Sequence, residues 1–136
     1  MKITPHAKPK KIKKLTKAKV WKVFSEYIRR RDSDWRGNCE CISCGAVKHW
    51  KEMHAGHFIH NVNAVYFNEY NVNGQCPYCN TFKHGNLHFY KRNLELKVGK
   101  DIVKDLMDTK WTVHKFTQKE LQEILDMCKD YLNNLK

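Results

Sequence analysis

Cys41-Ile42-Ser43-Cys44 and Cys76-Pro77-Tyr78-Cys79 decide how this chain folds, because each places two thiols on one tight turn. Tetrahedral zinc takes four soft ligands, and two such turns supply them at a fitting separation. A redox motif needs only one Cys-x-x-Cys, so a second pair in equally turn-like sequence (Ser43-Cys44-Gly45 around the first) favours a structural metal. Residues 45 to 75, 31 in all, lie between the turns, and the spacing predicts a four-cysteine zinc site that closes this loop. Disulfides would need an oxidising compartment, yet Met1-Lys2-Ile3 leads into lysines and prolines with no apolar signal-peptide core. A reducing, cytoplasmic setting is the expectation. Cys39 precedes Cys41 by a one-residue gap, poor for joint chelation, and ranks below Cys41 as a ligand.

A length of 136 residues suits one domain, and no apolar run approaches membrane-spanning length. The net charge of +12 is unevenly placed: residues 1 to 31 carry twelve Lys/Arg and one acid, Glu26, or +11, which leaves +1 for residues 32 to 136. A local block of this kind matches a phosphate-backbone binder, in which each neutralised phosphate releases counterions. Lys10, Lys11, Lys13, Lys14, Lys17 and the run Arg29 to Arg31 are the candidate DNA contacts, together with Lys83. The competing reading, a solvated or membrane-surface tail, lacks the bulky apolar stripe of a membrane-lying helix.

Residues 1 to 14 hold Pro5, Pro9 and six lysines and cannot bury enough surface to fold alone, so a flexible basic arm is expected there, ahead of one domain over 15–136. From Thr16, a helix N-cap, Val20, Trp21, Phe24, Tyr27 and Ile28 recur at helical spacing. The segment from about 38 to 86 is rich in Gly, Asn, Cys and His, and metal rather than core should hold it. Beyond it the spacing predicts two short helices joined at Gly99. A last helix opens on the capping box Thr117-Gln118-Lys119-Glu120 and carries the stripe Leu121, Ile124, Leu125, Cys128, Leu132 and Leu135. Intramolecular packing is the favoured use of that stripe over a dimer seam, with Cys128 a small core residue. Trp21, Trp35, Trp50 and Trp111 read as core rather than as base-stacking platforms. The fold class is α+β, mainly helical, around the zinc clip.

Between the turns, His54-Ala55-Gly56-His57-Phe58-Ile59-His60 alternates small, polar and apolar residues like a short strand. His54 and His57 are three apart and would face opposite ways on a regular strand, a restriction that a turn at Gly56 would relax. Asn71 leads into the second cysteine turn; Asn80, Lys83 and His84 share one face of a helix expected to begin near Cys79.

The order of histidine on a strand, asparagine in a loop, Cys-x-x-Cys and asparagine at the head of a helix resembles the HNH, or ββα-metal, nuclease motif. More narrowly, from about Tyr27 onward the chain is similar to the phage NinG (Rap) recombination endonucleases. Cys41-Ile42-Ser43-Cys44-Gly45, Ala55-Gly56-His57-Phe58, Phe67-Asn68-Glu69, Gln75-Cys76 with Cys79-Asn80, and Gly85-Asn86-Leu87 carry the likeness. The resemblance implies a structure-specific endonuclease that cuts branched recombination intermediates such as Holliday junctions and D-loops as a homodimer, in the host cell cytoplasm if phage-encoded. His54 stands where the family often has aspartate, and Gly56 where an HNH motif has aspartate. Imidazole suits Mn²⁺, Zn²⁺ or Ni²⁺ better than hard Mg²⁺.

On this resemblance His57 is the general base, Asn71 orients it or holds the loop, and Asn80 leads the ligands of a catalytic Mg²⁺ or Mn²⁺, with His54 and His84 behind it. Lys83 neutralises phosphate. A zinc-dependent nucleic-acid-binding module without catalysis would keep the clip, arm and helices but has no need to combine His57, Asn71 and Asn80. A protein-interaction zinc finger explains the cysteines and not the arm.

Overall fold

The computed structural model describes residues 13–135. Most of the expected arm, including Lys10 and Lys11, lies outside the described residues; Lys13 and Lys14 are exposed. Helix α1 (Lys17–Arg31) buries Val20, Phe24, Tyr27 and Ile28, the stripe its sequence spacing lays on one face. Thr16 caps it, the side chain accepting from the Lys19 amide at 3.2 Å. The chain continues through strands β1 (Asn38–Glu40) and β2 (Val47–His49), a 3-10 turn at Trp50–Glu52, β3 (His54–His57), the short helix α2 (Asn63–Tyr66) and β4 (Val72–Gln75). A wide π-type turn, Tyr78–Phe82, precedes α3 (Leu87–Val98), α4 (Lys100–Asp108) and α5 (Gln118–Asn134). About half the chain is helical, in an α+β arrangement with two small sheets.

Strands β1 and β2 form one antiparallel ladder; β3 and β4 form the other, with His54 opposite Gln75 and His57 opposite Val72. Period-two alternation puts Ala55, His57, Val72 and Gly74 on one face of the second ladder. Ala55 and Val72 pack there with Phe24, Tyr27 and Ile28 of α1 and Cys128 of α5. Towards the other face lie α3 and α4, whose Tyr90, Leu94, Val103 and Leu106 form a second cluster with Phe58, Val62 and Val65. Tyr90 is fully buried and ties the layers together: its hydroxyl donates to the Gly56 carbonyl at 2.6 Å and accepts from Asn73 Nδ2 at 3.1 Å.

Half of the C-terminal stripe packs within the chain, whereas Ile124 and Leu132 are half-buried and Leu135 is exposed. Leu121, Leu125 and Cys128 are buried, and Thr117 and Glu120 form the capping box. Gly99, at φ +97°, joins α3 to α4. Asp32, at the end of α1, collects Arg31 Nε at 2.8 Å, Lys97 Nζ at 3.1 Å and the Gly74 amide at 2.7 Å. Burial alone would raise this carboxyl, but the hydrogen bond and charge of Arg31, the Lys97 charge and the Gly74 amide hold it below the usual carboxylate range.

Two sequence expectations are corrected. Trp35 and Trp111 are not core: they are 87% and 86% exposed, because one rides the tight turn ending at Gly37 (φ +85°) and the other sits in the irregular segment between α4 and α5. The helix expected near Cys79 is only the five-residue turn Tyr78–Phe82. His84, Gly85 and Asn86 all take positive φ, which ends it and reorients the chain into α3.

Candidate metal centre and adjoining cleft

Met53, Cys39 and three of the turn cysteines, Cys41, Cys76 and Cys79, are buried together, while Cys44 stays exposed. The ligand atoms of Cys41, Cys44, Cys76 and Cys79 all lie within 4.8 Å of one another. The Cys44 and Cys76 sulfurs are 3.7 Å apart, far beyond a disulfide. That is the edge of a tetrahedron with metal–sulfur bonds of about 2.3 Å, roughly 3.8 Å. The four sulfurs can therefore hold a metal ion such as zinc. Donors already point at them: the Cys44 amide to Cys41 Sγ at 3.5 Å, the Cys79 amide to Cys76 Sγ at 3.4 Å, and Asn86 Nδ2 to Cys79 Sγ at 3.5 Å. Burial pushes the Cys79 thiol up to about 12, so filling the site must expel protons. Cys39 is not among the four; a Cβ on Gly74 would lie 2.5 Å from its sulfur, and burial next to Asp32 raises its thiol to about 11.

Asn80 follows the second turn directly, its amide donating to the Cys76 carbonyl at 3.0 Å. Its side-chain Nδ2 meets His54 Nδ1 at 3.0 Å. Gly56 is required beside them, since a Cβ there would collide with Gln75 Oε1 and come 3.1 Å from Asn80 Oδ1. Gln75 Nε2 is spent on Ser43 Oγ at 2.9 Å and on the Gly85 carbonyl, leaving its buried Oε1 without a partner.

His54, Asn80 and His57 line one cavity of about 530 Å³, whose other walls include Trp21, Ser25, Arg29, Met53, Ala55 and Tyr66. The strand is regular through Gly56, so the two histidines do face opposite ways. Both nevertheless line the cleft. The His57 ring stacks on Trp21 at 4.7 Å and packs on Tyr66 at 4.6 Å. Its Nε2 lies 3.0 Å from the Tyr66 carbonyl oxygen. A carbonyl only accepts, so Nε2 carries the proton and Nδ1 keeps a free lone pair. Burial, with smaller contributions from His60 and Lys17, lowers the imidazolium to about 4, and the ring is neutral at pH 7.

Asn71 is fully buried and does not line the cleft. Its Oδ1 accepts from the Ile59 amide at 2.7 Å, and its Nδ2 donates to the carbonyls of Ile59 and Val65 at 3.1 and 3.0 Å. It therefore braces the β3–β4 connection. His84 is exposed and outside the cleft, as is Lys83, whose ammonium lies 5.7 Å from the Tyr78 ring centroid. Lys17 sits 3.8 Å over the Tyr66 ring and donates to Asn63 Oδ1 at 2.6 Å. Arg31 is consumed by Asp32 and by the carbonyls of Glu69 and Val72. Arg29 alone of the basic run enters the cleft, held by the Ser25 carbonyl at 3.1 Å and the Trp50 carbonyl at 3.0 Å.

Trp21, Ser25 and Arg29 were not grouped by sequence reasoning, although positions four apart share a helix face and all three line the cleft. Beyond the cysteines, the described residues hold no further cluster of three His, Cys, Asp or Glu side chains placed for a metal. Among them, too, no helix is long and apolar enough to cross a membrane.

Residues 3–136 match the family model described as bacteriophage lambda NinG protein. The chain is 33% identical over 112 residues to protein ninG of Escherichia phage lambda, covering 81% of this chain and 52% of that one. It is 32% identical over 112 residues to the ninG proteins of Escherichia phage 933W and Salmonella phage P22, again over 81% of this chain and 53% and 52% of theirs. The chain thus spans about half the length of the curated relatives it matches. No solved structure matches. A match over nearly every residue, at a third identity to lambda-type relatives, places the chain in the NinG family of phage proteins.

Proposed function

We propose that this chain is a metal-dependent endonuclease of the HNH type that hydrolyses phosphodiesters in branched DNA. The observation that carries the reading is one cleft holding a neutral, half-buried His57 together with the His54–Asn80 pair. The residues fit a divalent ion. Carboxamide oxygen and nitrogen are interchangeable in assignment, so a half-turn of Asn80 sets Oδ1 beside His54 Nδ1 as a second acceptor. Their 3.0 Å separation suits adjacent ligands of an octahedral ion at about 2.1 Å, roughly 3.0 Å apart. His54 and Asn80 would hold Mn²⁺ or Mg²⁺, with water completing the shell; His84 is not in reach of the cleft. Such an ion would supply positive charge opposite the negative charge that develops on the attacked phosphate.

The chain's own groups do the rest. His57 Nδ1 takes a proton from the attacking water, and the Tyr66 carbonyl and the Trp21 ring fix the imidazole plane. Arg29, pinned at its back by Ser25 and Trp50, presents charge to the phosphate. Zinc in the clip would tie the turn that carries Asn80 to the β1–β2 connection, and so serve the site by position. Paired cuts in a junction need two clefts, and a homodimer is the proposed working unit.

The test is incubation with labelled four-way junction, duplex and single-stranded DNA in Mg²⁺ or Mn²⁺, next to His57→Ala. Metal-dependent cutting of the junction that is lost in the variant supports the reading. Tight binding without cutting under either ion moves the protein to the class of zinc-dependent binding modules.

A further inference from the structure

We propose that the face formed by Trp35, Arg36, Trp50 and Arg30 is a stacking platform for unpaired bases, which takes a single DNA strand leaving the cleft. The proposal rests on the nucleic-acid reading of the cleft for its choice of polymer. An 87% exposed tryptophan is unusual on a tightly built surface, and Trp35 is tightly built. The Gly37 amide donates to the Asp34 carbonyl at 2.9 Å, and the Asp34 carboxylate accepts from the amides of Arg36 and Asn38, each at 2.9 Å. A Cβ on Gly37 would lie 2.6 Å from His49 Nε2 and 3.3 Å from Trp50, so the turn is pressed onto the β2–Trp50 segment. Among the described residues the fold leaves the indole 87% exposed.

Cations surround both rings. The Arg36 guanidinium lies 4.7 Å from the Trp35 ring centroid; Arg30, Arg29 and Lys51 lie 5.0, 5.4 and 5.8 Å from that of Trp50. A groove of about 490 Å³ is lined by Trp35, Arg36, Arg30 and Trp50, with Tyr131 and Leu135 also on its wall. Among the described residues its one carboxylate is Asp34, which already accepts from backbone donors. Flat apolar faces alternating with positive charge match a strand whose bases offer π-faces and whose backbone is anionic. A duplex keeps its bases stacked inward and would use the charges but not the indoles. Continuity with the cleft is physical: Arg29 lines the cleft and also lies over Trp50.

The experiment uses the whole zinc-loaded protein and measures binding of fluorescein-labelled oligothymidylate and of a duplex of equal length, with no Mg²⁺ or Mn²⁺ added so that nothing is cut. Trp35→Ala should weaken single-strand binding roughly tenfold, the size expected for loss of one base stack, and leave duplex binding within about twofold. Trp35→Phe should restore most of the loss. Because Trp35 is solvent-exposed, its thermal melting should match the parent, and Trp35 fluorescence should be quenched by the oligonucleotide. Unchanged single-strand affinity, or equal losses for strand and duplex, would overturn the platform. So would conversion of a dimer to a monomer by Trp35→Ala with strand affinity intact, which would make this face a seam between copies. Failure here leaves junction cutting untouched, and failure of cutting leaves strand binding readable.

Discussion

His57 is a histidine whose surroundings have removed its usual titration. Burial lowers its imidazolium to about 4 from the ordinary 6.5, so between those values the unfolded chain binds a proton that the folded chain refuses. Its contribution to stability is therefore full above about pH 6.5 and is lost as pH falls towards 4, by at most about 3 kcal/mol. His57→Gln should flatten that part of the melting-temperature profile relative to the parent, as differential scanning calorimetry from pH 4 to 7 would show; parallel profiles would mean that His57 is solvated. His57→Ala should keep DNA affinity while abolishing cutting, and a collapse of affinity would make it a binding residue. For the proposed metal site, the chemistry of the side chain at 54 would decide the ion. His54→Asp should shift the preference from Mn²⁺ towards Mg²⁺, because a carboxylate is the harder ligand. Cleavage rates in the two ions measure this, and an unchanged ratio would remove His54 from the metal.

Elements are fixed in this protein by a few polar residues as much as by apolar stripes. Asn71 makes three hydrogen bonds from a fully buried side chain, so Asn71→Ala strands buried backbone groups of Ile59 and Val65. The expected loss is about 2 kcal/mol or more, read by urea denaturation, and it should appear with or without divalent ions. The four cysteines bring the β1–β2 connection against the turn that follows β4 and carries Asn80, and the binding energy of an ion held there would be folding energy. Cys76→Ser, or a zinc chelator, should lower the melting temperature and loosen residues 38–86 first in hydrogen exchange. A variant with unchanged melting would argue against structural zinc. The same element explains why the sequence pattern misled about Lys83 and His84. Helical spacing from Asn80 presumes a helix, whereas three successive positive-φ residues, His84 to Asn86, stop the turn.

Across the whole molecule, charge and fold divide the work. Deleting residues 1–14 removes six lysines and should flatten the salt dependence of DNA binding, while Arg29 and the cleft remain; an unchanged slope would exonerate the arm. The amino-acid sequence by itself determined the cysteine pairs, the caps at Thr16 and Thr117, the apolar faces of α1 and α5 and the hinge at Gly99, because each is a local matter of ligand spacing, hydrogen-bonding residue or helical period. It also drew attention to His54, His57, Asn71 and Asn80, but not to which of them share a cleft. Only the tertiary structure decided that His54 meets Asn80 beside the second cysteine turn, that Asn71 turns inward to the backbone, that Arg29 rather than Arg31 enters the cleft, and that Trp35 faces water. Those outcomes depend on which elements meet and which edges stay free, and contacts between residues 26 or 42 apart leave no period in the chain for a local pattern to reveal.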